Sequence, residues 1–71
     1  MRETDLCLDV VAEIEHLLWM ITRFSFPRWS LISYSENGDG QEYIVESHDS
    51  EERYTITRRY DEDGQDTWSI Q

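Results

Sequence analysis

The hydrophobic period of this chain changes once, at Pro27. Before it, Cys7, Val10, Val11, Ile14, Leu17, Leu18 and Ile21 recur at three- and four-residue steps, which sets them on one face of an α-helix. After it, apolar and polar residues alternate, the period of a half-buried strand. A chain with one such switch is expected to fold as an α+β unit, with an N-terminal amphipathic helix packed on a three- to four-stranded antiparallel β-meander.

The pattern predicts a helix over 5–23. Thr4 or Asp5 is the candidate N-cap, acidic residues fill the first turns, and Arg23 closes the last, as the helix dipole favours. Pro27 disfavours helical backbone at Phe26 and stops the run. Strands are predicted over 29–35, 41–47, 53–60 and 67–70. They are separated by Glu36-Asn37-Gly38-Asp39-Gly40, His48-Asp49-Ser50-Glu51 and Asp61-Glu62-Asp63-Gly64-Gln65, all turn-forming compositions. Connections this short imply antiparallel neighbours.

Alternation assigns the faces of the sheet. Tyr43, Val45, Tyr54, Ile56, Trp68 and Ile70 are expected to face the helix. Glu42 and Glu46, with Arg53, Thr55, Thr57 and Arg59, are expected outside, Glu pairing with Arg across strands. The first strand does not obey this split. Trp29 and Leu31 fall on one side, Ile32 and Tyr34 on the other, so the pattern predicts a strand covered on both faces. The two Gly-containing turns share an aromatic, an acidic turn and a second aromatic, which common turn chemistry explains without duplication.

At 71 residues the chain makes one small domain, 1–71, with a core that is marginal by size. One Cys excludes an internal disulfide and points to a reducing compartment. No segment reaches the roughly 18 apolar residues that a membrane span needs. The acidic start, Met1-Arg2-Glu3-Thr4-Asp5, lacks the basic opening of a signal peptide, and the expected setting is the cytoplasm.

Sixteen carboxylates against six Arg and no Lys give a net charge of −10. A field of that sign repels nucleic acid and anionic membrane and draws in basic protein surfaces. The acid is also patterned. Asp5, Asp9 and Glu13 recur at four-residue steps and form a ridge whose neighbours lie about 5–6 Å apart. Glu36, Asp39, Asp61, Glu62 and Asp63 add to it from the turns. An apolar set exceeds what the core stripe needs. Leu8, Ala12 and Trp19 lie far round the helix from that stripe, and Met20 lies on the opposite flank. With Trp29 and Leu31 of the first strand, they form a candidate partner or dimer interface. Trp19 has an alternative place, under the Phe24-Ser25-Phe26 connector.

No catalytic constellation emerges. Cys7 and His16 point to opposite sides of one helix. Cys7 reads as a small core residue, and it would meet His48, in a turn beside Asp49, only by tertiary accident. The acidic 61–66 stretch has Gly fourth where a calcium loop needs it sixth. Zinc would need more clustered His and Cys than three such residues supply. Arg53, Arg58 and Arg59 alternate with Tyr54 and Tyr60 in a way that suggests a base-stacking platform, yet the acidic field opposes phosphate approach. The expectation is no cofactor, no metal and no catalysis. In size and charge alone the chain is similar to small inhibitors carried by phages and mobile elements, some of which imitate DNA. That resemblance implies a protein partner with a basic, nucleic-acid-binding surface. The leading reading is therefore a non-catalytic inhibitor or adaptor. The alternative is a structural module assembling as a homodimer or small subunit.

Overall fold

A computed structural model describes residues 6–23 and 27–71. Helix α1, Leu8–Thr22, is followed by strands β1, Trp29–Asn37, β2, Gly40–Ser47, β3, Arg53–Tyr60, and β4, Asp66–Ile70. The strands pair in chain order, each antiparallel to the last. The molecule is thus α+β, one helix on a four-stranded antiparallel meander.

The helix buries Val10, Ile14, Leu17 and Leu18, positions that share one side at 3.6 residues per turn. They meet Tyr43, Val45 and Ile56 from the two central strands. Tyr54, Trp68 and Ile70 pack around this centre, as alternation requires. Two expectations on the helix need correction. Cys7 is exposed rather than core. It occupies the N-cap position in extended backbone and makes no side-chain capping bond, because the chain leaves the helical path there and turns the thiol off the stripe. Ile21, also on the stripe, is 46% exposed, next to the last residue of the helix. The proposed caps Thr4 and Asp5 lie outside the described residues. Arg23 ends the helix in left-handed backbone, its N–H donating to the Trp19 carbonyl at 2.7 Å, a helix-terminating turn usually built with Gly.

The two-sided pattern of β1 has a different cause from the one the sequence suggests. Leu31 pairs with Val45 and Ser33 with Ile44, so Ile32 is an extra residue without a partner on β2. This β-bulge shifts the phase of the strand by one. Trp29, Leu31 and Tyr34 therefore all face the helix and pack on the core, and no second cover is required. Ile32 is the residue left outside, 41% exposed.

The outer face of the sheet carries Ser30, Ser33, Ser35, Glu42, Ile44, Glu46, Arg53, Thr55, Thr57 and Arg59, as the register dictates. Glu46 stands opposite Arg53. Among the described residues, however, the ion pairs are Arg28–Asp49 and Arg58–Asp66, so the expected Glu–Arg pairing on this face does not form. Long exposed side chains lose as much in rotamer freedom and hydration as they gain from such a pair.

The two Gly-containing turns use one device. The Asn37 side-chain oxygen accepts the N–H groups of Asp39 and Gly40 at 2.8 and 3.0 Å. The Asp61 Oδ1 accepts those of Asp63 and Gln65, both at 2.9 Å. Each side chain satisfies backbone donors that a tight reversal would otherwise leave bare. Gly40 is required on steric grounds, since a Cβ there would lie 1.9 Å from the Arg58 carbonyl oxygen. Among the described residues no helix is long and apolar enough to cross a membrane.

Candidate protein-binding surface

A meander sends alternate turns to opposite ends. The β1–β2 and β3–β4 turns therefore share one pole, and the β2–β3 turn takes the other. The two shared turns touch, with the Tyr60 N–H donating to the Asp39 carbonyl at 3.0 Å. The start of α1 comes to the same pole. Cys7, Asp9, Val10 and Glu13 face Arg58, Asp66 and Trp68 across an open cleft of about 300 Å³. One end of the molecule thus gathers Asp9, Glu13, Glu36, Asp39, Asp61, Glu62, Asp63 and Asp66, acids that are far apart in the chain. The opposite end is mixed, with Arg28 paired to Asp49 at 3.5 Å and Arg53 nearby.

The acids of this pole are not equivalent. Asp39, Glu62 and Asp63 are exposed and point their charge into solvent. Asp61 is also exposed, but its Oδ1 is committed to the turn. Glu36 accepts the Tyr34 hydroxyl at 2.6 Å, and this bond pushes the phenol up to about 12. Asp9 is exposed and Glu13 half-buried, one helical turn apart. Asp5, the first member of the predicted ridge, lies outside the described residues.

The sequence reading missed the role of Arg58. It lies on the helix-facing side of β3, opposite Trp68. Its guanidinium stacks over the rings of Tyr60 and Trp68, 5.0 and 5.2 Å from their centroids. It also pairs with Asp66 at 2.8 Å. Neighbouring aromatics extend this arrangement: Trp68 stacks on Tyr43 at 6.0 Å, and Tyr43 meets Tyr34 at 5.2 Å. Burial pushes the Tyr43 phenol up as well. Arg58 is spent inside this stack. The Arg–Tyr alternation that suggested a nucleic-acid platform is thus an internal packing motif on one side. The signal for it was the register alone, since a five-residue β3–β4 turn sets Arg58 across from Trp68.

The apolar candidates divide. Trp29 and Leu31 belong to the helix–sheet interface. The Trp29 indole N–H donates to Glu15 at 3.2 Å. Leu8, Trp19 and Met20 remain on the surface at 85%, 40% and 49% exposure. Trp19 is held by its own helix, with His16 stacked at 6.1 Å and the Arg23 guanidinium 5.5 Å from its ring. The connector 24–26, its alternative cover, lies outside the described residues.

The topology also separates the thiol from the second imidazole. Cys7 sits at the acidic pole, and His48 sits in the β2–β3 turn at the other, 2.6 Å from the Ser30 hydroxyl. Among the described residues no group of His, Cys, Asp and Glu is arranged to hold a metal ion. Comparison with protein-family models, with curated proteins and with solved structures finds no match.

Proposed function

We propose that this chain is a non-catalytic protein-binding domain, an inhibitor or adaptor, whose acidic pole occupies a Lys/Arg-lined, nucleic-acid-binding site on a partner in a reducing, cytoplasmic setting. One observation carries the reading. The meander and the helix bring two acidic turns and the Asp9–Glu13 edge to a single end, where Arg58 is consumed internally. The acid therefore acts as one field directed outward rather than as diffuse surface charge, which speeds approach to a basic site and fixes orientation there. The exposed Asp39, Glu62 and Asp63 are the first contacts. The alternative, an assembly module, is supported by the uncovered Leu8, Trp19 and Met20.

The test is affinity capture by the immobilised chain from its native host, in parallel with an Asp39→Asn/Glu62→Gln/Asp63→Asn variant. Bound proteins are identified by mass spectrometry, and the purified partner is then titrated at rising salt. The expected partner is basic, is released by DNA, and binds the wild type more weakly as salt rises and the triple variant more weakly throughout. Affinity indifferent to both salt and the triple substitution would overturn the proposal.

A further inference from the structure

The outward side of α1 is complementary to itself. At about 100° per residue, Leu8, Ala12, His16, Trp19 and Arg23 fall within a band roughly 80° wide, directly away from the buried stripe. All five are exposed. Along this band the residues follow an order that a two-fold axis would exploit. If two such helices run antiparallel about a centre between Glu15 and His16, Trp19 of each lies over Ala12 of the other. Ala12 is the only alanine in the chain, and it is the small residue that a close approach of an indole requires. A two-fold about that centre sets Asp9 of one copy opposite Thr22 of the other, one residue from its Arg23 and on the same flank. Leu8 then covers the outer edge of the partner's Trp19.

We infer that two copies of this chain pair through α1, antiparallel and two-fold symmetric, with Trp19 seated on Ala12 and Asp9 paired with Arg23 across the axis. Large meets small about this centre and acid meets base within half a residue of it, in the reciprocal manner of an isologous contact. Trp19 is suited to be the anchor. Stacking by His16 and Arg23 already holds its ring, so little freedom is lost on contact. The pairing also answers the charge problem of a chain at −10. The helix band carries Arg23, and antiparallel packing sends the two acidic poles to opposite ends of the dimer. This inference does not depend on the acidic-pole reading, and either can fail alone.

The test is sedimentation equilibrium of the full chain over a wide concentration range. Wild type is expected to reach twice the monomer mass. Trp19→Ala and Ala12→Glu should each raise the dimer dissociation constant by roughly thirtyfold or more. Ala12→Glu changes an exposed position to another good helix former, so circular dichroism unchanged from wild type separates lost pairing from lost folding. The decisive set is Asp9→Arg, Arg23→Asp and the two combined. Each alone should weaken the dimer, and the combination should restore it. The two positions are about 21 Å apart along one helix, so restoration reports contact between copies. A monomer at every concentration, a dimer insensitive to Trp19→Ala, or a charge swap that fails to rescue would each overturn the inference. A chain that stays monomeric until a basic partner is added would overturn it in favour of that partner.

Discussion

The Trp29 indole donates a hydrogen bond to the Glu15 carboxylate across the helix–sheet interface, at 3.2 Å. Glu15 lies midway along α1 and Trp29 opens β1, so this bond fixes where the first strand begins relative to the helix. Hydrogen bonds to charged groups contribute about 1.5–3 kcal/mol, less when solvent reaches them, as it does here. Glu15→Ala should therefore cost about 1 kcal/mol and lower the melting temperature by about 4–8 °C. Trp29→Phe keeps most of the packing and loses the donor. A double-mutant cycle of the two, read by thermal unfolding, should show positive coupling, and additive effects would contradict the bond.

Ile32 is the residue that sets the phase of β1. Deleting it should leave plain alternation, with Trp29, Leu31 and Tyr34 still facing the helix on an unbulged strand, and unfolding should stay cooperative. Ile32→Thr leaves the bulge in place and should cost about 1 kcal/mol or less, since the side chain is 41% exposed. Circular dichroism melts of the two variants separate a requirement for the residue from a requirement for its side chain.

The Tyr34–Glu36 bond predicts a pH signature. A raised phenol pKa means that the fold favours the neutral form. Its share of stability is complete below the ordinary value of 10.0 and is lost as pH rises toward about 12. Ultraviolet absorbance titration should show a late-ionising tyrosine that disappears in Tyr34→Phe. Glu36→Gln should bring its ionisation back toward the ordinary range, since the hydrogen bond to the carboxylate is the main cause.

The turn acids should separate by role. Asn37→Ala and Asp61→Ala each strip two backbone N–H groups of their acceptor and should each cost about 1–2 kcal/mol. Asp63→Ala, whose side chain is exposed, should fall within about 0.5 kcal/mol of wild type. Gly40→Ala forces a Cβ against the Arg58 carbonyl and should cost about 1–3 kcal/mol. Urea midpoints rank the four, and Asp63→Ala as the most damaging would contradict the turn geometry.

Most of the architecture was legible because it rests on local signals. The 3.6-residue stripe, the stop at Pro27 and the Gly-bearing turns placed α1 and all four strands to within three residues of where they lie. The bulge was not legible, because one unpaired residue mimics a strand covered on both sides, and only the pairing of Leu31 with Val45 and Ser33 with Ile44 tells the two apart. Arg58 was hidden for a related reason. Alternation from Ile56 turns Arg58 inward and Arg59 outward, but the pairing of Arg58 with Trp68 follows only from the register against β4. The spacing of Asp9 and Glu13 was legible as one helical turn, but their place beside Asp66 is a property of the topology, which no local pattern carries. Cys7 was misplaced because a helical period was extended one residue beyond the helix.

The bulge has a further consequence at the edge of the sheet. Among the described residues β1 is the first strand in the sheet order, paired with β2, and Trp29–Ser35 contains no charged residue. A flat, uncharged edge of that kind invites strand-by-strand stacking of one molecule on the next. The extra residue at Ile32 breaks the even spacing of donors and acceptors along that margin. The bulge that absorbs Ile32, and so keeps Trp29, Leu31 and Tyr34 on one face, also makes that margin a poorer template for a second molecule.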